Sequence, residues 1–260
     1  MAADLRRRAS HVDVDHIHTA GFQPLGGGGE FRTEFSRYVN EIDPIRPRYD
    51  SNGTLETLDG AAGLHRYTFA KTLPGDADLS RTYSVGLQVD RTYQGISLSA
   101  NPVFDVVPAG GAPRVREVTT TAQCNQCHDP LILHGNRREV RLCTLCHTQA
   151  ATDEKGRSID LGVMTHKIHA GKHLPSIVDG PPGSTYAIYS SFARQDVVFA
   201  HKDEDGVVTG VGFPKPLSDC ATCHTDGATA HYASDRPSAA VCATCHDDVN
   251  PSLVTTDAGP

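Results

Sequence analysis

The chain has no tryptophan, two methionines and no cysteine before position 124. Aromatic residues make up 6% and the whole hydrophobic set 38% of its 260 residues. That is thin for a chain of this length building its core from side chains alone. A large apolar group held in the interior is one way to make up the shortfall. No apolar run approaches the ~18 residues that mark a membrane-spanning helix. Basic residues are also scarce, at 24 Lys and Arg against 31 Asp and Glu, for a net charge of −7 with histidine neutral. This argues against a nucleic-acid-binding surface as the main role. The one basic run, RRR at residues 6–8, reads as a solvated terminal segment. The N-terminus MAADLRRRASHVDVDH lacks the apolar stretch of a signal peptide. The chain is therefore expected to be either a mature fragment or a sequence with a misassigned start.

The missing cysteines divide the chain. In the cysteine-free part, YSVGLQV (residues 83–89) alternates strictly, with Tyr83, Val85, Leu87 and Val89 on one face. RYTFAKTL (66–73) alternates through Tyr67 and Phe69, and ISLSANPVFDVV is β-branched and broken at Pro102. The turn signals LPGDAD and YQG separate these runs, and GGGG (26–29) marks a loop. Residues 1–118 are thus expected to form a β-rich sandwich or barrel-like domain, its first ~50 residues irregular. PAGGAP then reads as a linker. Residues 119–260 are expected to form a second domain with little regular secondary structure and short helices, around residues 161–170 and at the cysteine motifs.

All eight cysteines fall in four copies of one pattern. These are Cys124-Asn-Gln-Cys127-His128, Cys143-Thr-Leu-Cys146-His147, Cys220-Ala-Thr-Cys223-His224 and Cys242-Ala-Thr-Cys245-His246. The CxxC pairs also satisfy a zinc-ribbon spacing, with 15 residues between Cys127 and Cys143 and 18 between Cys223 and Cys242. A ribbon, however, needs no histidine after its second cysteine. With 14 histidines in 260 residues, four such coincidences have a probability on the order of 10⁻⁵. CxxCH is instead the attachment signature of c-type haem. Two thiols on one turn form thioethers to the porphyrin, and the next imidazole binds the iron from below. Four covalently attached haem c groups are expected, with His128, His147, His224 and His246 as proximal ligands.

The opposite axial position separates electron transfer from catalysis. Methionine is nearly excluded, since Met164 is the one methionine besides Met1. Bis-histidine iron is expected. His134, in LILHGNR, follows the first motif closely. His166 and His169, in MTHKIHAG, stand i and i+3 on one side of a predicted helix. For the fourth iron His231 is the first choice, between the third and fourth motifs, followed by His201 and His173. A ligand from another subunit stays open. His11, His16, His18 and His65 lie in the β-rich part and read as surface residues.

NPVFDVVPAGG, then REVTTTAQCNQCHDPLILHGNRREVRLCTLCH, then GVMTHKIHAGKHLPS resembles the OmcA/MtrC family of outer-surface decahaem cytochromes. VGFPKPLSDCATCH and PSAAVCATCHDDV continue the likeness in order, over residues 64–250. The HG after the first motif and the HKIHAG segment carry it, because haem attachment itself requires neither. The resemblance implies β domains alternating with multihaem domains, and electron transfer to minerals, metal ions or flavins outside the cell. It supports His134, His166 and His169 as distal ligands, and supports His173, His201 and His231 less. Four motifs stand here against the family's ten.

The resulting expectation is a multihaem electron conduit that is extracytoplasmic, at the periplasm or outer cell surface. Its partners would be other redox proteins and metal-oxide or flavin acceptors, without nucleic acid or a transmembrane segment. Two alternatives are a self-assembling subunit of a cytochrome filament and a multihaem reductase with an open iron. No motif reads CxxCK, which weighs against the reductase, and a dedicated catalytic enzyme is the lesser expectation.

Overall fold

The computed structural model describes residues 2–6, 16–25, 49–50, 53–59, 64–70, 76–93, 96–148, 151–235 and 239–248. The GGGG loop, His11 and the last twelve residues lie outside these. The chain divides into two compact units, Met1–Thr148 and Gln149–Pro260.

In the first unit the strands are β1 (Ala2–Arg6), β2 (His16–Leu25), β3 (Tyr49–Asp50), β4 (Thr54–Asp59), β5 (Leu64–Thr68), β6 (Thr82–Tyr93), β7 (Ile96–Ala100) and β8 (Val103–Val106). They form a three-stranded sheet, β1-β5-β4, and a five-stranded sheet, β3-β2-β6-β7, with β8 also paired to β6. Of the face expected to be apolar in β6, Tyr83, Val85 and Leu87 are buried and Val89 is half-buried. Thr82, Ser84 and Gln88 on its other face are buried too, so β6 is a central strand covered on both sides. Burying a side chain such as Tyr83 or Leu87 stabilises by roughly 1.5–3 kcal/mol. Pro102 breaks the third run because it cannot donate to a ladder. Its carbonyl instead accepts from the Leu87 amide at 2.9 Å, and the chain re-enters the sheet as β8.

Two one-turn helices follow, α1 (Thr121–Cys124) and α2 (Val140–Cys143). Leu142 and Leu145 are buried against Val103 of β8. The composition changes near residue 118, but the packing divides at Thr148, so the first two CxxCH motifs pack with the β-sheets.

The second unit contains α3 (Leu161–Ala170), α4 (Pro175–Val178), β9 (Thr185–Ser190), β10 (Gln195–Lys202), β11 (Val208–Gly210), α5 (Tyr232–Asp235) and α6 (Ala239–Cys245). Helix α3 has the expected bounds. Asp160 caps it by accepting from the Val163 amide at 2.9 Å, and Gly171 ends it at φ 47°. A Cβ at Gly171 would strike the Val211 carbonyl, so glycine alone fits there. Ala170, Leu174, Ile177 and Ala200 form the core, with Tyr186 and Val208 packed against them.

The antiparallel sheet β11-β10-β9 was not expected from the sequence. The strand β11 has three residues, and a register shift between Val198 and Ala200 of β10 breaks the period-two pattern that reveals a strand.

Candidate haem sites

The four motifs fold alike. In each, the histidine amide donates to the carbonyl of the first cysteine: His128 to Cys124 at 3.0 Å, His147 to Cys143 at 2.9 Å, His224 to Cys220 at 3.0 Å and His246 to Cys242 at 3.2 Å. One helical turn therefore places both thiols and the imidazole of every motif in the same local frame. Of the eight cysteines, Cys127, Cys220, Cys223 and Cys242 are exposed.

In the first unit the two motifs are tied through their capping groups. The Thr121 hydroxyl donates to Glu139 Oε1 at 2.9 Å and accepts from the Val140 amide at 2.9 Å. Glu139 caps α2 in turn. Arg141 pairs with Asp105 of β8 at 2.6 Å, and Asp105 also accepts from the Ser84 hydroxyl at 2.6 Å. Between the motifs, Leu133 and Arg137 exchange backbone bonds of 2.9 and 3.1 Å around a tight turn. Both central residues at its entry are left-handed, His134 at φ 49° and Gly135 at φ 83°. Such a conformation is uncommon for a side chain-bearing residue. It is held by Arg137 Nε donating to Gln88 of β6 at 2.8 Å, the Ser99 hydroxyl donating to the Asn136 carbonyl at 3.0 Å, and the Arg138 amide donating to Asn101 at 2.8 Å. The sheet thereby aims His134 at the second motif. Its ring faces that of His147 with centroids 6.0 Å apart and planes 23° from parallel.

The second unit repeats this geometry from different elements. His166 of α3 faces His224 of the third motif with centroids 6.0 Å apart and planes at 24°. The His166 Nδ1 lies 2.6 Å from the Gly162 carbonyl. A carbonyl only accepts, so Nδ1 carries the proton and Nε2 is left with its lone pair. His169 is fixed in the same way by the Thr165 carbonyl at 2.7 Å, and Phe213 stands edge-on to its ring at 5.5 Å.

These residues fit a haem iron. A histidine nitrogen binds metal at about 2.0 Å and lies about 1.1 Å from its ring centre, so two imidazoles on one iron have centroids about 6.2 Å apart. Both pairs match that separation, and each joins a CxxCH histidine to one of the expected distal ligands. Burial holds the His166 imidazole below its ordinary pKa despite the opposing bond to Gly162. It does the same for His134, helped by the nearby Arg137 cation. Both rings thus favour the neutral, ligating form. Burial pushes the Cys143 thiol up to about 11, reinforced by Cys146, Glu139 and Cys124. Among the described residues no three His, Cys, Asp or Glu side chains converge on a metal position.

The remaining candidates stand elsewhere. His201 on β10 bonds Thr185 through Nδ1 at 2.9 Å, His231 lies edge-on to Tyr232 at 4.5 Å, and His173 is exposed in the turn after α3. Thr121, Glu139, Arg137 and Asp247 were not singled out in the sequence. Their roles depend on partners distant along the chain, and the one local signal was the adjacency of Asp247 to the fourth motif.

Residues 116–259 match the family model of outer membrane cytochromes, MtrC/MtrF-like, domains II/IV. Among solved structures, the outer membrane decahaem cytochrome OmcA is similar in fold, with a TM-score of 0.61 and 19% identity. The likeness covers 94% of this chain and 43% of that one, so the chain spans less than half of OmcA. No curated protein matches. No helix among the described residues is long and apolar enough to cross a membrane.

Proposed function

Because the chain belongs to the MtrC/MtrF-like outer membrane cytochrome family, in its domains II/IV, we propose that it carries electrons between redox partners along closely spaced haem c groups. When bound, haem supplies one-electron chemistry at its iron. The thiols of the four motifs would hold four such groups covalently, with His128, His147, His224 and His246 on their proximal sides. His134 would lie opposite His147, and His166 opposite His224. His169 is the third distal ligand of this reading. The fourth is drawn from His231, His201 and His173, or from outside the chain.

The repeated 6.0 Å imidazole pair carries the proposal. Two imidazoles on opposite sides of one iron leave no position for a substrate, which favours conduction over catalysis and weighs against a reductase. The Nδ1 bonds of His166 and His169 would leave Nε2 to face the metal, as carbonyls bonded to ligating histidines commonly do. The bonds joining Thr121 and Glu139 hold the first two motifs side by side, which supports haems spaced closely enough for direct transfer.

The domain plan that goes with this is a β-sandwich or barrel-like part over residues 1–118 and a haem-bearing part over 119–260. The second part nearly coincides with the family match. At roughly 35 residues per haem, the porphyrins would form much of its interior. That would supply the apolar bulk the composition lacks. The family's outer-membrane setting supports an extracytoplasmic location, other cytochromes as donors, and metal or flavin acceptors.

Electron paramagnetic resonance of the oxidised protein tests this reading. Low-spin ferric signals are expected at the His147 and His224 sites. A predominantly high-spin spectrum would overturn it.

A further inference from the structure

Asp247 directly follows the fourth proximal histidine, His246, and Lys167 directly follows His166 on α3. Lys167 Nζ lies 2.9 Å from Asp247 Oδ2, with side chains 24% and 6% exposed. Ser176 of α4 completes the carboxylate's surroundings, its amide donating to Oδ1 at 2.9 Å and its hydroxyl to Oδ2 at 2.6 Å. The lysine is backed by the ring of Tyr186, 5.0 Å from Nζ, which packs against the Ala170–Leu174–Ile177 cluster. The Asp247 carboxylate is thus enclosed, and its three donors come from α3 and α4.

A buried ion pair contributes little net stability compared with apolar side chains of the same size, because both charges must leave water. What it does impose is geometry, since a displaced partner leaves an unpaired charge in a poorly solvated place. Here the two ends of the pair belong to the histidine-bearing helix and to the fourth motif. The negative member lies one residue from a proximal histidine.

We propose that Asp247 and Lys167 are a charge-balanced positioning pair. The pair holds the distal-ligand helix α3 in register with the fourth CxxCH motif and sets the electrostatic environment of the haem site built on His246. The inference rests on the haem reading above. Loss of Lys167 would leave a carboxylate unbalanced beside that site and stabilise the ferric state. Loss of the Asp247 charge would do the opposite.

The test is a spectroelectrochemical titration of the intact haem-loaded protein and its Asp247→Asn, Lys167→Met and double variants, with haem content checked by intact mass. One haem couple is expected to shift to lower potential in Lys167→Met and to higher potential in Asp247→Asn. It should return towards the parent value in the double variant, with Lys167→Arg close to the parent. Shifts of the same sign in both single variants, or none, at unchanged haem content would overturn the proposal and leave the haem reading intact. A parent protein without covalent haem would instead overturn the haem reading. Should a single variant not fold, Ser176→Ala, which removes one donor and no charge, is expected to move the couple in the Lys167→Met direction by less. An unmoved couple there counts against the pair.

Discussion

The imidazoles of His134 and His147 face each other with their centroids 6.0 Å apart, although they come from different elements. One is carried on a left-handed turn braced by β6 and β7, and the other ends the second CxxCH motif. His166 and His224 reproduce the distance, also at 6.0 Å, from a helix and the third motif, sharing no residue with the first pair. The same gap arising twice is what a common occupant would demand.

Replacing His134 with alanine removes one side of the first pair and no thioether. The haem count is expected to stay at the parent value while one low-spin ferric signal converts to high-spin. Intact mass and electron paramagnetic resonance on the same sample check both halves of this.

His166→Ala and His169→Ala should act on different irons, because an iron already bound by a CxxCH histidine has one axial position left. Each single variant is expected to lose one low-spin signal and the double variant two. Identical losses in both singles, with nothing further in the double, would show that one iron is served from this turn.

Gly135 lies at φ 83° with open space around its missing Cβ, so a substitution there acts through the backbone alone. Gly135→Val is expected to destabilise by about 1–2 kcal/mol, the order of the left-handed penalty. It should also weaken low-spin ligation at the His147 site, because His134 shares the turn. Denaturant unfolding and optical spectra report the two effects separately.

Asp153 is nearly enclosed and accepts from the Lys155 and Arg157 amides, both at 2.9 Å, from Arg157 Nε at 2.7 Å and from the Tyr189 amide at 2.8 Å. Burial alone would raise its pKa, but the amides of Tyr189 and Arg157 and the Arg157 guanidinium outweigh it and hold the carboxyl below its ordinary value. A carboxyl lowered by folding contributes stability that is full above the unfolded-state pKa of about 3.9 and is lost as pH falls through the folded value. Asp153→Asn should therefore cost about 2 kcal/mol at neutral pH and flatten the stability profile below about pH 4. Denaturant midpoints taken from pH 7 down to pH 3 measure both.

What the sequence could show were the features with a short repeat. CxxCH repeats within five residues, YSVGLQV alternates in β6, and MTHKIHAG is a helix whose bounds follow from Asp160 at its cap and Gly171 at its end. The sheet β9–β11 escaped notice because β11 has three residues and the register shift after Val198 scrambles the alternation of β10. The left-handed His134 could be suspected only from the glycine after it, since no side-chain pattern announces a positive φ. The Arg141–Asp105, Thr121–Glu139 and Lys167–Asp247 pairs escaped for a simpler reason. Each joins charges or hydroxyls that are distant along the chain, and surface Asp and Lys look the same in a sequence as enclosed ones. The packing division at Thr148 was hidden likewise, because Leu142 and Leu145 find their partner in Val103.

The central claim is that the four motifs hold haem, and intact mass under denaturing conditions with a pyridine haemochrome spectrum tests it most directly. The account predicts a polypeptide carrying four covalent haems, with one c-type haemochrome spectrum accounting for all of them. An unmodified polypeptide mass, with zinc recovered from the native protein and no haemochrome absorbance, would contradict it.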